Sequence, residues 1–135
     1  MFEVSVEQSF AAGHALRNYK GKCENVHGHN YKVQLRVFGT ELDQTGLLMD
    51  FGDMKRILRE VIQILDHQFI NDIEPFTTIN PTAENMTRWF YDEVTRRLPE
   101  GTHLSLGEVK VWETDIQYAA YRPCHAALLL RPESD

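Results

Sequence analysis

From Tyr31 to Val37 the chain alternates without a break: Tyr31, Val33, Leu35 and Val37 on one parity, Lys32, Gln34 and Arg36 on the other. A period of two fits a half-buried strand and does not fit a helix. The same period runs through Phe2, Val4 and Val6, which alternate with Glu3, Ser5 and Glu7. It then gives way to helical spacing. Met54, Ile57, Leu58, Val61, Ile62 and Leu65 line one face of a helix predicted from about Gly52 to Leu65. A second helix follows Thr82, a fitting N-cap, with Met86, Trp89, Phe90, Val94 and Leu98 as its stripe and Pro99 and Gly101 ending it. Strand signals return at Leu104–Glu113, where Gly107 suits a bulge, and at Gln117–Tyr121. The order is ββααββ, which implies an α+β domain with an antiparallel sheet and both helices on one face. Four strands leave two sheet edges, so assembly through those edges is expected.

The chain of 135 residues has the length of one domain, and 42% hydrophobic content is enough for a core. A net charge of −6 argues against a nucleic-acid partner. The balance is local, though: Arg17, Lys20, Lys22, Lys32 and Arg36 lie between His14 and Arg36 with Glu24 as the one acid. Such a stretch is either a solvated face or an attractor for an anionic small molecule. No apolar run is long enough to span a membrane, and two cysteines make no disulfide framework. A cytoplasmic protein is expected.

The basic stretch overlaps "CENVHGHNY", residues 23–31. His27 and His29 are two apart and lead into the second strand on its apolar parity. They are either a hydrogen-bonded pair at a strand end or ligands of a metal such as zinc. His14, in "FAAGHAL", approaches them if the first two strands form a hairpin. Three histidines with an open position fit a catalytic zinc site, and Cys23 as a fourth ligand would make the site structural. Cys23 has polar neighbours, and Lys20 and Lys22 favour its thiolate, which suits a base or nucleophile. Asp66 and His67 can pair only where the first helix ends; they are a chance dipeptide or an acid/base unit. Glu113 shares parity with the buried Val109 and Val111. It either escapes to water at a strand end or accepts two parallel N–H donors of a ligand. His103 and His125 are expected in solvated positions.

"FAAGHAL", "CENVHGHNY", "GLLMDFGDMK", "LDHQFIN", "NPTAENM" and "WETDIQYAAY", in that order, make the chain resemble the 6-pyruvoyl-tetrahydropterin synthase superfamily, most of all its 6-carboxy-tetrahydropterin synthase branch. The resemblance covers residues 2–121. It implies a tunnelling fold in which ββααββ subunits join edge to edge into a barrel, a homo-oligomer (hexamer or tetramer) with active sites at subunit interfaces. It implies Zn2+ on His14, His27 and His29, Cys23 as proton-abstracting residue, Asp66 and His67 as a dyad supplied across an interface, and Glu113 as anchor of the pterin. The implied substrate is 7,8-dihydroneopterin triphosphate, converted to 6-carboxytetrahydropterin, acetaldehyde and triphosphate in 7-deazapurine (queuosine) biosynthesis. The alternatives are a pyruvoyl product from the same substrate, aldol cleavage to a hydroxymethyl pterin, and a non-catalytic zinc-stabilised binding domain.

Overall fold

The computed structural model describes residues 1–18, 25–101 and 103–124. Cys23, Lys20, Lys22 and His125 lie outside the described residues. Strands β1 (Phe2–His14) and β2 (His27–Gly39) are followed by helices α1 (Phe51–Leu65) and α2 (Ala83–Arg97), then strands β3 (Ser105–Thr114) and β4 (Gln117–Tyr121). All neighbours in the sheet are antiparallel, in the order β1-β2-β3-β4. The ββααββ order expected from the change of period is therefore the observed one.

Both helices start where a side chain satisfies free backbone donors. Asp50 accepts from Gly52 N at 2.6 Å and Asp53 N at 3.3 Å, and Thr82 accepts from Asn85 N at 3.1 Å. The apolar stripes of both helices and the inward parity of β1, β2 and β3 close into one core. Tyr31, Val33, Leu35, Leu58, Val61, Phe90 and Val109 are among its most buried members. Among the described residues, neither α1 nor α2 lies on the other face of the sheet. Gly107 sits where the β2–β3 register shifts between Arg36 and Val37. A Cβ there would lie 2.4 Å from two carbons of the Phe38 ring, which is why the bulge takes glycine.

The first two strands run longer than their alternation suggests. β1 and β2 pair continuously from Phe2 opposite Gly39 to His14 opposite His27. β1 and β4 are the edge strands, but the β1 edge is covered at its C-terminal end. The chain after α1 runs alongside it, with His67 N donating to Ala11 O at 2.6 Å and Gly13 N donating to Gln68 O at 3.0 Å. No helix among the described residues is long and apolar enough to cross a membrane.

Candidate metal centre and neighbouring clefts

The last rung of the β1–β2 ladder sets His14 directly against His27, and the period of two brings His29 onto the same inward face. Ring centroids lie 4.5 Å (His14–His27), 5.1 Å (His14–His29) and 4.9 Å (His27–His29) apart, with interplanar angles of 67°, 79° and 89°. The rings form a tripod. One ligand atom from each lies within 4.8 Å of the other two, and among the described residues no other His, Cys, Asp or Glu group could hold a metal this way.

Hydrogen bonds at the far side of two rings fix what the tripod offers. His14 Nδ1 lies 2.8 Å from Pro81 O, and His27 Nδ1 lies 2.8 Å from Asn25 O. A carbonyl only accepts, so each Nδ1 carries the proton. In the neutral ring the lone pair is then on Nε2. Those two nitrogens face each other at 2.9 Å. His29 Nε2 is buried and has no hydrogen-bond partner. A single proton shared by His14 and His27 would relieve their repulsion and leave His29 Nε2 orphaned. A divalent ion satisfies all three at once. Ligand nitrogens around a tetrahedral ion stand about 3.3 Å apart; here His14 and His27 stand at 2.9 Å and all three ligand atoms lie within 4.8 Å of one another. The donor set therefore fits a metal ion. Outer partners such as the Pro81 and Asn25 carbonyls are what orient metal-binding imidazoles. Burial pushes the His14 pKa down, opposed by the Pro81 hydrogen bond and the charge of Glu113.

Glu113 is half-buried at the end of β3, on the same inward parity as the tripod. It faces a cleft of about 390 Å3 shared with Ala83, Glu84, Gln117 and Tyr118. Gln117 Nε2 donates to Glu113 Oε2 at 3.4 Å. The side chain thus lines a cavity beside the α2 N-terminus, and most of its acceptor capacity is open to that space. Its charge is felt by His14 and by the buried Tyr31, whose pKa is raised chiefly by burial and secondly by Glu113.

Asp66 and His67 stand where α1 stops. Asp66 is the C-cap residue, and His67 takes a left-handed backbone with φ 59°, a region non-glycine residues seldom adopt. That turn brings His67 Nδ1 within 3.0 Å of Asp66 Oδ1. The same carboxylate oxygen accepts from Ala11 N at 3.1 Å. The His67 side chain is 81% exposed and borders a second cleft with Ala11, Gly13, Gly28 and Gln68. The structure makes the pair and leaves its ring largely exposed, in a cleft that His29 of the tripod also lines. His103 is exposed, with Nε2 3.2 Å from Glu41 O, as its turn position suggests.

Sequence reasoning missed the partners of the tripod, because backbone carbonyls have no side-chain signature. It also missed Glu108, a fully buried carboxylate on the sheet face opposite α1 and α2. The parity that placed Glu108 outside the core was legible, and the three cations that cover it were not.

A family described as "6-pyruvoyl tetrahydropterin synthase" matches residues 3–124. A Haemophilus influenzae protein named 6-carboxy-5,6,7,8-tetrahydropterin synthase is 32% identical, with 90% of this chain and 99% of the relative covered. The human protein named 6-pyruvoyl tetrahydrobiopterin synthase is 37% identical, with 89% of this chain and 90% of the relative covered. The solved Caenorhabditis elegans 6-pyruvoyl tetrahydropterin synthase is similar at TM-score 0.76 and 29% identity, with 91% of this chain and 97% of that chain covered.

Proposed function

We propose, for a chain that belongs to the 6-pyruvoyl tetrahydropterin synthase family, that it is a zinc-dependent lyase of the carboxy-forming kind. Its substrate is 7,8-dihydroneopterin triphosphate and its products are 6-carboxytetrahydropterin, acetaldehyde and triphosphate, feeding 7-deazapurine (queuosine) biosynthesis. The observation that carries the reading is the tripod of His14, His27 and His29, whose ring nitrogens converge, with the tautomers of His14 and His27 set by backbone carbonyls.

In this reading the three histidines hold Zn2+. When bound, the ion supplies Lewis acidity towards the hydroxyls of the substrate side chain. Glu113 accepts N–H donors of the pterin ring in the cleft beside α2, supported by its open carboxylate. Cys23 takes a proton from the substrate side chain and is not a ligand. His67 moves protons and Asp66 orients it, supported by their 3.0 Å contact. The exposure of His67 supports its use by a neighbouring subunit, in a homo-oligomer (hexamer or tetramer) that joins through the β1 and β4 edges. The enzyme works in the cytoplasm, where a free thiol such as Cys23 stays reduced.

Relatives of both names align over nearly the same share of the chain. The carboxy product is preferred on spacing. Three residues, Glu24, Asn25 and Val26, separate Cys23 from His27, the short link typical of the carboxy branch that the chain resembles. The link sets where the thiol can reach, and a displacement of about 1 Å matters for a reacting group. The two products differ by one carbon–carbon bond and one water. Incubation with 7,8-dihydroneopterin triphosphate and trapping of aldehydes should yield acetaldehyde with triphosphate. A pyruvoyl pterin without acetaldehyde would leave the family intact and reverse this choice.

A further inference from the structure

Beyond the covered Ala11 and Gly13, the same edge of the chain continues past the end of β1. Ala15 N donates to Asn71 Oδ1 at 2.9 Å, and Asn71 Nδ2 donates back to Ala15 O at 2.8 Å. Two residues on, Arg17 N donates to Asn80 Oδ1 at 2.7 Å, and Asn80 Nδ2 donates back to Arg17 O at 3.0 Å. A side-chain amide offers the same acceptor and donor as a peptide unit. Residues 11, 13, 15 and 17 keep the every-second-residue alternation of a strand edge, although β1 itself ends at His14. That edge is therefore met four times in succession, by backbone at Ala11 and Gly13 and by asparagine amides at Ala15 and Arg17.

Asn80 is itself fixed from the other side. Its carbonyl accepts from Thr82 N at 2.8 Å and from Asn85 Nδ2 at 2.9 Å. The Arg17 guanidinium adds Phe76 O at 2.8 Å and Ile79 O at 3.3 Å. Pro81, between Asn80 and the α2 cap, presents the carbonyl that meets His14 Nδ1. The strand bearing His14 and the carbonyl that sets its tautomer are thus tied together through one amide. The clamped segment also leads straight into residues 19–24, which carry Cys23.

We propose that Asn80, assisted by Asn71, is a positioning residue for the histidine centre. Its amide extends β1 beyond its last strand partner and holds the Pro81 carbonyl against His14. The proposal rests on the reading of the three histidines as a metal centre, and its test is built to separate the two.

Zinc affinity of the full chain is measured by competition with a chromophoric chelator, well below the melting temperature. Asn80→Ala should weaken zinc about 10–100-fold, the usual effect of losing an outer partner of a ligand. Asn71→Ala, which breaks the Ala15 contact and leaves Pro81 in place, should weaken it less. Val94→Ala, a core change remote from the centre, should lower the melting temperature and leave zinc affinity unchanged. The second readout needs no metal: NMR of the imidazole nitrogens in metal-free protein. Wild type should show His14 held as the Nδ1–H tautomer, and Asn80→Ala a mixture. A wild type that binds no zinc but shows this tautomer change would sink the metal reading and support the positioning role. Asn80→Ala with wild-type zinc affinity and an unchanged His14 tautomer would overturn the proposal. So would a Val94→Ala protein that loses zinc as Asn80→Ala does.

Discussion

The sheet buries polar chemistry in two places, and they differ in how their charge is compensated. On the face opposite α1 and α2, Glu108 is fully buried, yet among the described residues three cations meet it. Oε1 lies 3.3 Å from Arg36 Nη1 and 3.7 Å from Lys110 Nζ, and Arg122 Nε donates to Oε2. Arg36 also pairs with Glu3. On the helix-covered face, three imidazoles converge, and the acceptor nitrogens of His14 and His27 stand 2.9 Å apart while His29 Nε2 has no hydrogen-bond partner. The first cluster brings its own counter-charges. The second needs a cation from outside. Burial alone does not separate a structural polar cluster from a binding site; what separates these two is whether the cluster supplies its own counter-charges.

The largest expected effect breaks the incomplete cluster. His27→Ala removes one of three ligands and should strip zinc beyond the roughly 10–100-fold that loss of an outer partner costs. Metal analysis after gel filtration reads it directly, and retention of wild-type zinc would remove His27 from the centre.

The two clusters were unequally legible for a physical reason. His27 and His29 could be read because a strand repeats every two residues, so a spacing of two fixes a shared face. His14 could be read because a hairpin must bring its strand ends together. The helices were legible from their stripes to within a residue or so, and Thr82 from its capping chemistry. Glu108 obeys the same period as Lys110 and Trp112, but parity does not tell a solvated face from a self-covered one. The strand length of β1 was legible only in part, since Gln8, Ser9, Ala11 and Gly13 carry little apolar contrast. Asn71 and Asn80 sit in irregular chain, where an amide that replaces a strand partner looks like any turn residue.

Glu108→Gln should break the charge-compensated cluster and leave the other alone. Removing one partner of a buried ion pair costs about 3–5 kcal/mol. Here Lys110, Arg36 and Arg122 are 21%, 23% and 42% exposed and can rehydrate. The expected loss is therefore about 1–3 kcal/mol in denaturant unfolding, with zinc content unchanged. Loss of zinc in a folded Glu108→Gln protein would show that the two clusters are coupled.

Glu113→Ala sharpens the contrast within the site. Its carboxylate faces a cleft and has one long contact, to Gln117, so folding should suffer little. Pterin titration of the zinc-loaded variant should show affinity reduced about tenfold or more, as unmatched ligand donors would cost. Unchanged affinity would return Glu113 to a role at a strand end.

The smallest effect is one of pH on metal-free protein. Burial holds the folded-state pKa of His14 below its ordinary value of 6.5. Below pH 6.5 the unfolded chain takes up a proton that the folded chain refuses, so acid favours unfolding. The contribution of His14 to stability is present above that pH and is lost as the pH falls towards its folded pKa. Melting of metal-free protein should drop over that window, and His14→Gln should flatten the dependence. A melting temperature that rises on acidification would contradict the sign.

Cobalt titration of the metal-free chain tests the central claim most directly. The ion reports its ligands through its visible bands, and a bound thiolate adds a charge-transfer band in the near ultraviolet. The account predicts saturation at one ion per chain, through His14, His27 and His29, with visible bands of low coordination number. It predicts no thiolate band and an identical spectrum for Cys23→Ala. No saturable binding, or a thiolate band that Cys23→Ala abolishes, would contradict it.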